Sequence, residues 1–156
     1  MRLQEFSYGA DGSIPKLEMN GAAPEGITRL NPFARVEAET IAFASGIKTE
    51  NCNDTGAGQN VTRISAGDYI EVKNVNFAGG VTSFQARVSS ATGNAKIELR
   101  LDSENGPSLG TCDVSGHASW TTVTCPVSGA SGTHDLFLVF SGSGDNLFKF
   151  NWWKFE

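Results

Sequence analysis

The segment His134–Phe155 reads HDLFLVFSGSGDNLFKFNWWKF and decides the fold. It holds five of the ten Phe and two of the three Trp residues of the chain, in two apolar runs on either side of a Gly/Ser break at residues 141–144. Consecutive apolar positions bounded by turn residues are typical of strands buried on both faces, whereas a helix would show apolar positions three and four apart. The segment therefore predicts the closing pair of strands of a β-sandwich.

The composition is that of one small all-β domain. A chain of 156 residues is long enough for a single core, and its 18 Gly residues favour many turns. No apolar run approaches the roughly twenty residues of a membrane helix. The net charge of -5 argues against a nucleic-acid partner and against binding to a membrane surface, because both depend on basic patches. We expect a monomer.

Strand-like runs recur about every ten residues, as in sandwiches. Lys96–Asp102 is the clearest, because Ile97, Leu99 and Leu101 alternate with charged residues, which gives one buried and one solvated face. About nine short strands and no convincing helix predict an antiparallel, jelly-roll-like β-sandwich. The other predicted strands are Ala34–Thr40, Ala44–Glu50, Val61–Ser65, Asp68–Lys73, Val81–Ser89, Ser108–Val114 and Trp120–Val127.

The first thirty residues differ from the rest, since they show little apolar periodicity. We predict that residues 1–30 are a linker or the tail of an upstream domain, and that the folded module is residues 31–156. The amino terminus has no charged-then-apolar signal sequence, so a secretion signal would lie outside this chain or be already removed.

The three cysteines indicate in which cellular compartment the protein folds. Cys112 and Cys125 flank a Gly/Ser loop, where two neighbouring strands could bring them to disulfide distance, and a disulfide implies an oxidising, extracellular location. Cys52 is left over and is predicted to be a free thiol, since neither CxxC spacing nor clustered His suggests a metal site around it.

Glu37 and Glu39 are two apart on a predicted strand, so both carboxylates point to one face. They could be a general acid and base for glycoside hydrolysis, but such pairs flank the bond and normally come from different strands. Calcium fits better, because it takes several hard oxygen ligands. Solvated surface charges remain the alternative. A Ser-His-Asp relay is not expected, because His134 and Asp135 are strand neighbours that point to opposite faces.

A series of motifs carries a resemblance to a known family. Their order and spacing from about Asn31 to Phe155 resemble the family 6 carbohydrate-binding modules, β-sandwich modules attached to xylanases and arabinofuranosidases. The segment DGSIP at residues 11–15 is similar to the end of a family 43 glycoside hydrolase domain. The motifs are VEAE (36–39), GIKTE (46–50), NV (60–61), GDYI (67–70), IELRLD (97–102), WTTV (120–123), HDLFLVF (134–140) and NLFKFNW (146–152).

The resemblance implies a structural calcium and a polysaccharide partner. The family's calcium ligands correspond to Glu37, Glu39 and Asn151 of this chain. The partner would be xylan or a related β-glycan of the plant cell wall, and a covalently attached catalytic domain would complete the parent enzyme. The family register, together with strand alternation, assigns Phe148, Phe150 and Trp152 to the core.

The family's usual sugar site lies in loops at one end of the sandwich, where a Tyr and a Trp enclose a sugar ring and an Asn binds its hydroxyls. Asn146 corresponds to that Asn, but Arg63 stands where the Tyr is expected and His117 where the Trp is expected. Trp120 corresponds to a neighbouring strand Trp, interpreted mainly as a packing residue. The resemblance thus implies weak or altered binding at the loops, with a preference for an acidic side-sugar that Arg63 could pair.

Some family members bind sugar on a concave sheet face instead. The positions of that second site correspond to Glu50 and Tyr69, with Glu98 added from the polar face of its strand. Tyr69 replaces a Trp of the members that use this face, and an ordinary half-buried strand Tyr is the alternative.

Three functions follow as hypotheses. The first is a non-catalytic carbohydrate-binding module that holds an attached hydrolase on its polysaccharide. The second is a small glycosidase, which would need a separated carboxylate pair in a cleft. The third is a structural module with weakened or lost sugar binding, because the usual Tyr and Trp of the loop site are replaced.

Overall fold

The computed structural model describes residues 29–56, 58–91 and 93–156, which form eleven β-strands. No helix occurs in these ranges, so the described residues contain no helix that is long and apolar enough to cross a membrane. The strands are β1 (Val36–Glu37), β2 (Phe43–Ser45), β3 (Lys48–Asn51), β4 (Gln59–Thr62), β5 (Tyr69–Asn76), β6 (Ser83–Ser89), β7 (Lys96–Leu101), β8 (Ser108–Asp113), β9 (Thr121–Pro126), β10 (Thr133–Ser141) and β11 (Lys149–Phe155).

The strands form two antiparallel sheets that face each other across one core, which confirms the predicted β-sandwich. The order is β3-β4-β11-β6-β9 in the six-stranded sheet, where β1 also pairs with β11, and β2-β5-β10-β7-β8 in the five-stranded sheet. The closing strands β10 and β11 therefore belong to different sheets and do not pair with each other. Aromatic side chains of the two segments meet instead across the core. The ring centroid of Phe140 lies 5.5 Å from that of Phe148, the residue before β11, and 6.4 Å from that of Phe150.

The structure has eleven strands against about nine predicted, and one of the additional strands arises because the sequence around Gly46 was interpreted as one strand. Residues 44–50 contain the end of β2 in the five-stranded sheet and most of β3 in the six-stranded sheet. Gly46 between them has φ of 80°, a left-handed conformation that ends a strand and that glycine adopts readily. The predicted strand Ala34–Thr40 is also shorter than expected, since only Val36–Glu37 pairs with β11.

The prediction that Trp152 lies in the core was wrong. The pairing of β11 with β6 shifts between Phe150, opposite Val88, and Trp152, opposite Arg87, so β11 contains a bulge at Asn151. The extra residue reverses the alternation beyond it. Trp153 is consequently fully buried, whereas Trp152 is partly exposed on the outside of the sheet, 5.5 Å from the Arg35 guanidinium.

Cys112 and Cys125 form a disulfide with Cα atoms 5.3 Å apart. Their strands, β8 and β9, are edge strands of different sheets, so the bond joins the two layers of the sandwich at one side. Cys52 is a free thiol and is partly buried.

Leu30, which the sequence assigned to the linker, contacts the folded module. Leu30 is partly buried against the core, its N–H donates to Asn74 O, and its carbonyl accepts from Asn76 N–H. The rest of the predicted linker, residues 1–28, lies outside the described residues.

Candidate functional site

The six-stranded sheet brings the three predicted loop-site residues to one end of the sandwich. Arg63 follows β4, Asn146 precedes β11, and His117 lies in the loop before β9. A hydrogen bond of 2.8 Å from Leu147 N–H to Ile64 O joins the first two loops. Arg63 and Asn146 are exposed, and both have left-handed backbones, with φ of 56° and 54°. No aromatic ring stands at the two positions where the family has its Tyr and Trp.

The structure separates Glu50 from the sheet face to which the sequence assigned it. Glu50 lies on β3 of the six-stranded sheet, whereas Tyr69 and Glu98 lie on the five-stranded sheet. The Glu50 carboxylate is 2.6 Å from Lys149 Nζ, and the hydrogen bond from Lys149 lowers the pKa of Glu50. The charge of Arg63 acts in the same direction, which places Glu50 beside the loop end of the sandwich. The grouping of Glu50 with Tyr69 was thus wrong.

Tyr69 and Glu98 do share one face. Val139 of β10 pairs with Tyr69 of β5 on one side and with Glu98 of β7 on the other. The three residues therefore form a row on the outside of the five-stranded sheet. The next row holds Phe43, Glu71, Phe137 and Arg100 in the same manner. We call this surface the five-stranded face.

An aromatic strip crosses the five-stranded face. The ring centroid of Tyr69 lies 6.3 Å from that of Phe43 and 5.8 Å from that of Phe137, with tilted planes. Phe43 is 57% exposed, the highest value among the large hydrophobic residues of the described segments. Phe137 lies outside the core cluster and is 8% exposed. The sequence analysis missed Phe43 and Phe137, although their strand alternation with Ala44 and Leu138 could have placed them outside.

Charged residues flank the aromatic strip. Glu98 is paired with Arg100 at 2.9 Å, and Lys73 is paired with both Glu71 at 2.6 Å and Asp135 at 3.0 Å. Rings for the C–H faces of sugars and charged groups for their hydroxyls thus lie side by side, which is the arrangement that carbohydrate recognition requires.

Trp120 does not pack in the core as interpreted from the sequence. It lies outside the core cluster, is partly exposed, and lines a small cleft at the loop end of the six-stranded sheet. Its indole Nε1–H donates to Asn53 Oδ1 at 2.7 Å.

The predicted calcium ligands are neighbours, and two of them have unused oxygen atoms. Ala38 N–H donates to Asn151 O at 2.9 Å, which brings the turn after β1 against the bulge of β11. Glu39 Oε2 and Asn151 Oδ1 are buried and have no hydrogen-bond partner. Burial raises the pKa of Glu39, and the nearby charge of Glu37 adds to that effect. The donor set suits a hard cation, although Glu37 pairs with Arg35 at 2.7 Å.

A partly buried ion pair fixes the loop between β3 and β4 on the sheet. Asp54, whose side chain is 7% exposed, accepts hydrogen bonds from Arg87 Nε at 2.8 Å, Arg87 Nη2 at 2.9 Å and Asn151 Nδ2 at 2.9 Å. These hydrogen bonds, above all those from Arg87, hold the pKa of Asp54 far below its usual range. The bidentate geometry makes the pair directional as well as strong.

Fold and surface together define a β-sandwich of the ligand-binding type, with an aromatic sheet face and a loop end rich in polar groups. The model of the family described as carbohydrate binding module (family 6) matches residues 37–156. The chain belongs to this family of non-catalytic binding modules. This match confirms the resemblance found in the sequence.

Three similar proteins show the extent of the similarity. An arabinoxylan arabinofuranohydrolase of Bacillus subtilis is 44% identical over 98% of this chain and 31% of its own length. A β-1,3-glucan binding family 6 module from Bacillus halodurans has a TM-score of 0.78 and 37% identity, over 83% of this chain and 99% of that chain. A family 6 module from Clostridium cellulolyticum, solved in complex with xylose, has a TM-score of 0.76 and 44% identity over 81% of this chain and 99% of that chain.

The chain spans less than a third of the length of the curated relatives it matches, which include a second arabinoxylan arabinofuranohydrolase from Paenibacillus polymyxa.

Proposed function

We propose that this chain is a non-catalytic module that binds xylan, arabinoxylan or a related β-glycan along its five-stranded face. The observation that carries the proposal is the aromatic strip of Phe43, Tyr69 and Phe137, which lies between the ion pairs of Glu98 and of Lys73. An open sheet face can accept an internal stretch of a polysaccharide, because neither end of the sugar chain has to enter a closed pocket.

The loop end supports binding less well. Pyranose rings gain most from aromatic surfaces that cover their C–H faces, and Arg63 and His117 offer less apolar area than Tyr and Trp. The preference of Arg63 for an acidic side-sugar stays a prediction. The alternative function, a structural module without sugar binding, rested on the replaced loop aromatics alone, and the five-stranded face supplies other aromatic residues.

The parent protein is proposed to be a secreted glycoside hydrolase in which this monomeric module holds the catalytic domain on its substrate. The identity to arabinoxylan arabinofuranohydrolases supports that context, and the Cys112–Cys125 disulfide supports an oxidising compartment.

Affinity electrophoresis tests the function. The 156-residue chain is run in gels that contain xylan, arabinoxylan or mixed-linkage glucan, and release of reducing sugar is measured in parallel. We expect retardation without sugar release. Release would identify a glycosidase, and neither retardation nor release would identify a structural module.

We further propose that Glu39 and Asn151 hold a structural calcium ion, with Glu37 contributing when it exchanges Arg35 for the metal. The support is the pair of buried oxygen atoms without partners. When bound, the ion would neutralise the carboxylates and fix the turn after β1 against β11. Asn in place of an acidic residue leaves one negative charge fewer and weakens affinity.

Calcium should therefore stabilise the module. At ten times its dissociation constant we expect a gain of ~1.4 kcal/mol, or a rise in Tm of about 3–6 °C. Because burial raises the pKa of Glu39, protons compete with calcium in acid, so the gain should increase with pH. Thermal unfolding with calcium, magnesium or EDTA measures it. Glu39→Gln should abolish the gain, whereas an equal calcium effect in that variant would exclude the site.

A further inference from the structure

One of the proposed calcium ligands already holds a cation that the chain itself supplies. The guanidinium of Arg35 donates from Nε to Glu37 Oε1 at 2.7 Å and from Nη2 to Glu37 Oε2 at 3.0 Å. Both carboxylate oxygens of Glu37 are thus engaged by one planar fork, the geometry in which Arg recognises a carboxylate most specifically. A metal ion therefore competes with this guanidinium for the same two oxygen atoms.

The other two proposed ligands differ from Glu37 in this respect. Glu39 Oε2 and Asn151 Oδ1 are buried and have no hydrogen-bond partner among the described residues. The positive charge of Arg35 nevertheless reaches Glu39, because it opposes the rise in the pKa of Glu39 that burial causes. Arg35 is therefore the internal counter-charge of both carboxylates, and the same charge repels a cation that enters between them.

The ion pair of Arg35 and Glu37 is weak enough to be displaced. Its two side chains are 42% and 44% exposed, and exposed ion pairs add little to stability because water screens their charges. A divalent ion carries twice the charge of the guanidinium and gains the oxygen atoms of Glu39 and Asn151 as well. It should therefore replace Arg35 at Glu37 with a modest loss of affinity.

A second contact keeps Arg35 close by when it leaves Glu37. Trp152 lies opposite Glu37 in the pairing of β1 with β11, and the Arg35 guanidinium lies 5.5 Å from the centroid of the Trp152 ring. A guanidinium within about 6 Å of an indole ring is attracted to the face of that ring. Arg35 can thus exchange Glu37 for the ring alone, and the electrostatic surroundings of the Trp152 indole then change.

We propose that Arg35 is an internal competitor of calcium, which neutralises Glu37 in the metal-free module and moves onto the ring of Trp152 when the metal binds. The inference rests on the proposed calcium site and adds the residue that regulates it. Arg35 lets the module fold without the metal, because the two carboxylates always have a positive neighbour, and it lowers the affinity for calcium. Calcium occupancy is thereby coupled to Trp152 on the outside of the six-stranded sheet.

Calorimetric titration with calcium, after metal has been removed from the chain, tests the competition. Arg35→Met removes the charge and keeps an apolar stem, so we expect calcium to bind roughly three- to tenfold more tightly. Arg35→Lys keeps the charge without the fork and should have an intermediate affinity. The matched control is Lys154→Met, because Lys154 is also a cation of this region but pairs with Glu156, at 2.8 Å, instead of a calcium ligand. Its calcium affinity should stay within about twofold of that of the unmodified chain.

Nuclear magnetic resonance of the indole N–H groups supplies an independent readout. The chain has three Trp residues, and single Trp→Phe variants assign their signals. Calcium should shift the Trp152 signal saturably in the unmodified chain, and Arg35→Met should remove most of that shift although it binds calcium more tightly.

The outcomes separate this inference from the calcium site on which it rests. Calcium affinity of Arg35→Met that is equal to or weaker than that of the unmodified chain would overturn the inference and leave the calcium site intact. A Trp152 shift that persists in full in Arg35→Met would do the same. Absence of calcium binding by both the unmodified chain and Arg35→Met would overturn the inference and the calcium site together.

Discussion

Replacement of Tyr69 by Ala is expected to lower the affinity of the module for xylo-oligosaccharides by roughly thirtyfold, the effect of ~2 kcal/mol at a central binding residue. Tyr69 is the middle ring of the strip, within 6.3 Å of Phe43 and 5.8 Å of Phe137. The substitution removes the Tyr69 ring and also the contacts that this ring makes with Phe43 and Phe137. Isothermal titration calorimetry with xylohexaose measures the change.

Two further variants make that measurement specific. Phe43→Ala removes a terminal ring of the same strip, so we expect a smaller loss than for Tyr69→Ala. Trp152→Ala removes an aromatic residue from the outside of the other sheet and should bind as the unmodified chain does. Equal affinities of the Tyr69→Ala and Trp152→Ala variants would show that the five-stranded face does not hold the sugar.

Replacement of Arg87 by Met is expected to destabilise the fold by about 1.5–3 kcal/mol, the cost of removing charged hydrogen-bond donors from a carboxylate that is largely shielded from water. Asp54, with 7% of its side chain exposed, would keep only the amide of Asn151 as a side-chain donor. Urea unfolding followed by fluorescence measures the loss. The second substitution Asp54→Leu in the same chain should restore part of the stability, because the unpaired charge is then gone.

An exposed ion pair provides the control for this prediction. Lys73, whose side chain is 54% exposed, is paired with Glu71 and Asp135, and Lys73→Met should cost less than about 1 kcal/mol. A loss for Arg87→Met that is no larger than the loss for Lys73→Met would mean that the loop of Asp54 can leave the sheet at little cost.

The contribution of the Asp54–Arg87 pair depends on pH in a defined direction. The hydrogen bonds from Arg87 lower the pKa of Asp54 in the folded state, so the folded protein binds fewer protons than the unfolded one. The stabilisation is thus complete above the unfolded pKa of about 4 and is lost as the pH falls through the folded value. The difference in stability between the unmodified chain and Arg87→Met should be constant above about pH 4 to 5 and should shrink progressively as the pH falls below that range.

Much of the fold could be predicted because strand alternation follows directly from burial. The pattern around Ile97 has one buried set of side chains, which fixes a strand and its inward face, whereas the continuous apolar run from Leu136 to Phe140 fixes a strand alone. The errors occurred where a single residue breaks that pattern. The left-handed Gly46 divides one predicted strand between two sheets, and the bulge at Asn151 exchanges Trp152 for Trp153 in the core.

The candidate site was harder to predict, since it depends on which strands become neighbours. Tyr69 and Glu98 are 29 residues apart and share a face only because β10 lies between their strands. Glu50 could be assigned to the wrong sheet because its sheet depends on the break at Gly46. The alternation of Phe43 with Ala44 could have placed its ring on the outside of the sheet, but its position beside Tyr69 follows only from the pairing of β2 with β5.

The most direct test of the central claim is to map the sugar on the module by backbone amide resonances during a titration with xylohexaose. We predict the largest shifts in β5, β7 and β10, around Tyr69, Glu98 and Phe137. Shifts confined to the loops of Arg63, His117 and Asn146, with the five-stranded sheet unchanged, would contradict the account.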